Sequence, residues 1–175
     1  VKGEAFYKNY LSRGLRLAPS ANQDNHYFTW GDLTDARTVV LATELSRRGI
    51  LQATRARRCY ATTDRNLRIT FTVHGATMGK EITSDDRDLH IEYEIADADE
   101  SDAAYTVSAV YGNPKLAGTA TQKKLVSETG DHSGEFTLKT PHANTFIYLK
   151  ITQHPGSATK RDVAVTAPVW ILAGT

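Results

Sequence analysis

The chain has 175 residues, 40% of them hydrophobic and 23% charged, which is enough to bury a core in one or two small domains. With 21 basic against 20 acidic residues the net charge is +1, so there is no global electrostatic argument for nucleic acid or an anionic membrane, and no apolar run approaches the roughly 18 residues of a membrane helix. A single cysteine, Cys59, excludes an internal disulfide but leaves the compartment open, so the chain reads as soluble and either cytoplasmic or periplasmic/secreted.

The start, Val1-Lys2-Gly3-Glu4, has neither an initiator Met nor an apolar signal region and reads as a fragment of a longer polypeptide. From Glu4 to Arg13, Phe6, Tyr7, Tyr10 and Leu11 recur at helical spacing, and Gly14 is placed to stop the helix. Leu15 to Ala18 alternates as a short strand before Pro19. Ser20 to Thr34 is then a long polar loop, of the kind that is often functional. Thr38 to Ala42 is a continuous apolar run that suits a strand buried on both faces of a parallel sheet or barrel. Ser46 caps a second predicted helix reaching about Arg58, with Leu45, Gly49, Ala53 and Ala56 as its apolar seam.

After Asp64 the period becomes two. Strands are predicted at Leu67 to His74, Gly79 to Thr83, Asp88 to Ala96, Ala104 to Tyr111, Glu135 to Lys139, Thr145 to Gln153 and Asp162 to Ile171. Turn residues separate them at Asp99 to Asp102, Gly112 to Pro114, Thr129 to Asp131 and His154 to Ser157. The fold class is therefore mainly β with a small α/β N-terminal part. Residues 1–64 form the α/β part, and residues 65–175 form an antiparallel sandwich of about seven strands, immunoglobulin-like or fibronectin-like.

The chemistry concentrates in the loop Asn22-Gln23-Asp24-Asn25-His26. Asp24 and His26 offer a carboxylate oxygen and an imidazole nitrogen, ligands that suit zinc, manganese or iron; the spacing is also common by chance in polar loops. Asn25 between them reads as a turn residue. Arg37 could reach the loop and hold a phosphate bidentately, or form an ion pair with Asp32 or Asp35. Arg47, Arg48, Arg55, Arg57 and Arg58 could make a nucleic-acid face, but without interleaved aromatics they read as a solvated helix face. Cys59 reads as a small buried hydrophobe. His74, His90, His132, His142 and His154 lack ligand spacing and read mostly as exposed. Tyr105, Tyr111, Phe136, Phe146, Tyr148 and Trp170 could line a carbohydrate groove or, at alternate strand positions, pack the core. Trp30 is the aromatic that fits a core least.

The order Gly14-Leu15-Arg16-Leu17-Ala18-Pro19, Asp24-Asn25-His26, Trp30-Gly31, Arg37 to Ala42 and Ala56 to Asp64, followed by Asn66 to Gly75, Met78-Gly79, Phe146 to Gln153 and Ala167 to Ile171, resembles the end of a PHP-type phosphoesterase. More narrowly, it resembles the CehA/McbA-like metallohydrolases with their appended sandwich. The resemblance implies that residues 1–64 are the last strand-helix elements of a PHP-type barrel and that Asp24 and His26 are its final metal-binding motif. It implies a divalent metal in the intact protein and a phosphate-ester or aryl-ester substrate. The family's early His-x-His motif and its middle ligands are absent, so the chain alone is expected to be inactive and to need the N-terminal catalytic portion of the same polypeptide as partner. A homo-oligomer is compatible with this, and a nucleic-acid or membrane partner is not expected. The alternative is a non-catalytic immunoglobulin-like interaction module, since sandwiches host many unrelated binding roles.

Overall fold

Leu89, Ile91, Tyr93 and Ile95 leave strand Asp88–Ala96 on one side and are buried, while His90, Glu92 and Glu94 leave it on the other. That alternation is the seam between two stacked sheets. The computed structural model describes residues 3–100, 102–130, 132–154 and 161–174. In chain order the elements are α1 (Glu4–Ser12), β1 (Arg37–Val40), α2 (Arg47–Arg55), β2 (Cys59–Thr62), β3 (Arg68–Val73), β4 (Ala76–Thr77), β5 (Glu81–Thr83), β6 (Asp88–Ala96), β7 (Ala104–Gly112), β8 (Thr121–Thr129), β9 (Ser133–Lys139), β10 (Thr145–His154), β11 (Asp162–Thr166) and β12 (Val169–Leu172). No helix among the described residues is long and apolar enough to cross a membrane.

The smaller sheet runs β4-β3-β6-β9 and is antiparallel throughout. The larger sheet is built on β10. One edge of β10 pairs along its whole length with β7, which in turn carries β8. The other edge is shared, with Lys150 to Gln153 pairing β11 and Thr145 to Ile147 pairing β12. Beyond β11 come β2 and β1, and beyond β12 comes β5, in the one parallel pairing described. The predicted strand Asp162 to Ile171 is therefore two strands. Pro168 interrupts it, since its ring removes an amide from the ladder.

Between the sheets, Ile69, Phe71, Leu89 and Ile91 meet Val107, Ile147, Leu149 and Ile151. On the opposite face of the large sheet a second cluster gathers Val110, Phe146, Tyr148, Val165 and Trp170 under Leu11 of α1. Tyr7 of α1 packs on Tyr148 with ring centroids 5.3 Å apart. Because β10 is covered on both faces, Phe146 to Leu149 are all buried. The fold is thus a mainly β sandwich with one helix on its outer face.

Three expectations about residues 15–62 are corrected. Leu15 to Ala18 forms no strand, and Tyr7 holds it in an extended path by donating to the Leu17 carbonyl at 3.3 Å. The apolar run Thr38 to Ala42 supplies β1, which among the described residues is an antiparallel edge strand paired with β2 alone and only half-buried, instead of a parallel strand covered on both faces. Leu45 is exposed because Ser46 is the N-cap, accepting the Gly49 amide at 3.0 Å, so Leu45 lies outside the helix whose buried side is Gly49 and Ala53. β2 hydrogen-bonds to β11, so a sheet crosses the expected boundary at residue 64. The seven predicted sandwich strands all have counterparts, and β4 and β8 are added to them. The expected turns containing Ser101 and Asp131 and the one at His154 to Ser157 include residues outside those described.

Candidate functional site

The loop from Ser20 to Ala36 is organised by its own polar side chains. Thr38 in β1 clamps its start, with Oγ1 accepting the Ala21 amide at 2.9 Å and donating to the Ala21 carbonyl at 3.0 Å. Gln23 spans the loop, its Nε2 donating to the Thr34 carbonyl and its Oε1 accepting the Gly31 amide. Asn25 closes a turn by accepting the Tyr27 amide and donating to Thr29 Oγ1, each at 2.8 Å, so it is a turn residue. Asp24 has a φ of 49°, a left-handed conformation that Asp tolerates better than most residues.

On this frame Asp24 and His26 project into solvent, with side-chain exposures of 97% and 83%, and Asp24 Oδ1 lies 3.6 Å from His26 Nε2. Two ligands bound to one tetrahedral zinc lie about 3.3 Å apart, so the pair has the spacing to share an ion. Among the described residues no other His, Cys, Asp or Glu joins them in a three-ligand set. Arg37 is committed to the loop: it donates to the carbonyls of Thr34 at 2.8 Å, Ala36 at 2.9 Å and Gly31 at 2.8 Å. The ion pair considered for Arg37 is made by another residue, since Asp35 pairs with Arg65 at 3.0 Å.

The same region carries most of the exposed apolar surface. Of twelve exposed large hydrophobics among the described residues, eleven lie between Phe6 and Leu51, including Tyr27, Phe28, Trp30 and Leu33 in the loop itself. A groove of about 480 Å³ opens beside them, between Phe6, Tyr7 and Tyr10 of α1 and Ala61, Val163 and Val165 of the sheet. The sandwich aromatics behave differently. Tyr105, Phe146, Tyr148 and Trp170 are buried, and Tyr111 and Phe136 pack against the core, so these six do not line an open groove. Arg57 leaves the predicted basic face and places its guanidinium 5.4 Å from the Trp170 ring centroid, which Arg16 also approaches at 5.2 Å. Arg47, Arg48 and Arg55 are exposed on α2, and Cys59 is buried, its thiol pushed up by burial.

Two clusters escape sequence reasoning because they form across strands. On the outer face of the small sheet, His90 Nε2 lies 3.5 Å from Glu135 and 3.8 Å from Glu92. At one end of the sandwich Asp64, Asp97 and Glu100 bring one ligand atom each within 4.8 Å of one another. Burial first, then Asp99 and Asp64, push the Asp97 carboxyl up, and burial followed by Asp97 and Asp64 does the same to Glu100. Asp99, hydrogen-bonded by Asn66, is held low. Of the remaining histidines His74 is exposed, whereas His132, His142 and His154 are half-buried, against the expectation of mostly exposed rings. His132 packs edge-on to Tyr105, and His154 Nε2 contacts Thr106 Oγ1 at 2.9 Å.

No protein-family model matches the chain. It is similar to an uncharacterized protein of Chlamydia trachomatis serovar D, 28% identical over 177 residues that cover 92% of this chain. The chain spans 28% of that protein's length.

Proposed function

We propose that this chain is the C-terminal part of a PHP-like metal-dependent hydrolase of the CehA/McbA-like kind, in which Asp24 and His26 complete a divalent metal site whose other ligands come from elsewhere in the polypeptide. The observation that carries the reading is the setting of the pair. Two ligand side chains 3.6 Å apart stand fully outward on a loop that also exposes Tyr27, Phe28, Trp30 and Leu33. Exposing this many large apolar side chains to water is unfavourable, so a neighbouring domain is their natural cover. The relative's greater length supports the presence of one.

Asp24 would bind through a carboxylate oxygen and His26 through Nε2 as neutral imidazole. When bound, the metal would supply an activated water and charge stabilisation for hydrolysis of a phosphate or aryl ester. Arg37 serves this site by bonding three loop carbonyls and holding the pair in place.

The second reading, a non-catalytic interaction module, draws on the same exposed aromatics without needing the metal. The test is hydrolysis of p-nitrophenyl phosphate and a p-nitrophenyl ester by the full-length protein with zinc or manganese. Metal-dependent turnover that is lost in both Asp24→Ala and His26→Ala is expected. Turnover retained in both variants overturns the metal-site assignment. Absence of turnover in the wild type, with Phe28→Ser still weakening association between this chain and the rest of the polypeptide, favours the module.

A further inference from the structure

The acidic end of the sandwich is assembled from three places in the chain. Asp64 comes from the turn after β2, Asp97 and Glu100 from the loop after β6, and Gln153 from the end of strand β10. Asp64 and Asp97 are almost completely buried, at 7% and 6% exposure, and Gln153 is fully buried. Asp64 is fixed in orientation because its Oδ1 accepts the amides of Asn66 and Leu67, both at 2.8 Å. Among the described residues, no Lys, Arg or His forms an ion pair with Asp64, Asp97 or Glu100.

Burying like charges together is costly unless something of opposite sign is present. Gln153 meets part of the need, its Nε2 donating to Asp97 Oδ2 at 2.7 Å and to Glu100 Oε2. Two buried oxygens are left without a hydrogen-bond partner, Asp97 Oδ1 and Gln153 Oε1. Buried acceptors with no partner are rare in folded proteins, and here two lie in one cluster. A half-turn of the Gln153 amide exchanges its nitrogen and oxygen, and would bring Oε1 to the point where the carboxylates converge.

We propose that this end of the sandwich is a calcium site, with Asp64, Asp97 and Glu100 as carboxylate ligands and the Gln153 amide oxygen as a neutral one. The donors are all oxygen, which selects a hard cation over zinc or copper. Several carboxylates on two loops suit the larger, geometrically tolerant Ca²⁺ better than Mg²⁺, which demands a near-ideal octahedron and keeps most of its water. The site is independent of Asp24 and His26 and of any catalytic role for them.

The test is thermal unfolding of this chain, treated with EGTA and then titrated with CaCl2 or MgCl2. At a hundredfold excess of Ca²⁺ over Kd the midpoint is expected to rise by roughly 5–10 °C, and Mg²⁺ at the same concentration is expected to give little. Asp97→Asn and Glu100→Gln should abolish the rise while folding normally. Asp97→Asn should also raise the ion-free midpoint, because it removes a buried charge. His26→Ala must leave the calcium response intact, which separates this site from the loop. No rise in the wild type at millimolar Ca²⁺, an equal rise with Mg²⁺, or an undiminished rise in both variants overturns the proposal.

Discussion

Lys150 Nζ donates to Glu4 Oε2 at 2.6 Å, joining the first turn of α1 to the central strand of the large sheet across 146 positions of sequence. Lys8, one turn along α1, stands 3.1 Å from the other carboxylate oxygen. Burial alone would raise the Glu4 carboxyl, but the two lysines outweigh it and hold it below its ordinary value of 4.5. A carboxyl that is depressed in the folded state contributes stability above its unfolded value and loses it as pH falls through the folded one. The unfolding midpoint of the wild type should therefore fall more steeply below pH 4.5 than that of Glu4→Gln, with the two curves converging in acid. Parallel curves from pH 7 to pH 3 would show that the contact contributes nothing.

Tyr60 ties β2 to the opening of β3. Its hydroxyl donates to the Leu67 carbonyl at 2.7 Å and accepts the Ile69 amide at 3.1 Å, and it is fully buried. Tyr60→Phe removes both bonds and leaves two buried backbone groups without a partner, at an expected cost of about 1–3 kcal/mol in urea unfolding. A loss below a few tenths would mean that water reaches the site.

Gly79 has a φ of 89°, and a Cβ there would collide with the Ala56 carbonyl and the Arg57 backbone. Both strain and overlap act against a side chain, so Gly79→Ala should destabilise by about 1 kcal/mol or more. It should also disturb the packing of Arg57 over Trp170, which the tryptophan emission would report.

Cys59 is 5% exposed and its thiol is pushed up by burial, so the nucleophilic thiolate is scarce. A thiol reagent such as DTNB should leave the native chain unmodified at pH 8 and react with one equivalent in denaturant. Rapid reaction in buffer would mean that β2 opens readily.

The sandwich strands were legible because their faces differ: Leu89 to Ile95 alternate, and Phe146 to Leu149 are apolar without a break, as a strand covered on both sides must be. β8 escaped because Lys123 and Lys124 sit side by side and its pairing with β7 slips register twice, so no period of two survives. The run Thr38 to Val40 misled because a short apolar strand reads the same whether its neighbours are parallel or antiparallel. At the sites, sequence could find Asp24 and His26, two positions apart. It could not find the meeting of Asp64, Asp97, Glu100 and Gln153, which depends on strand register and on where three connections end.

Among the described residues, β11 is the sole sheet neighbour that joins β1 and β2 to the rest of the large sheet, through Thr62, Ala61 and Tyr60. Residues 37–62 consequently wait for residues 162–166 before their ladder can attach. Closing a loop of about a hundred residues comes at an entropic cost and is slow. During synthesis the β3–β4 hairpin and the β7–β8 pair can form as they emerge, whereas the segment carrying Asp24 and His26 gains its final anchor only when β11 has left the ribosome. A nascent chain stalled before residue 162 would hold an assembling small sheet while β1 and β2 stayed open to protease, and extension through β11 would close them.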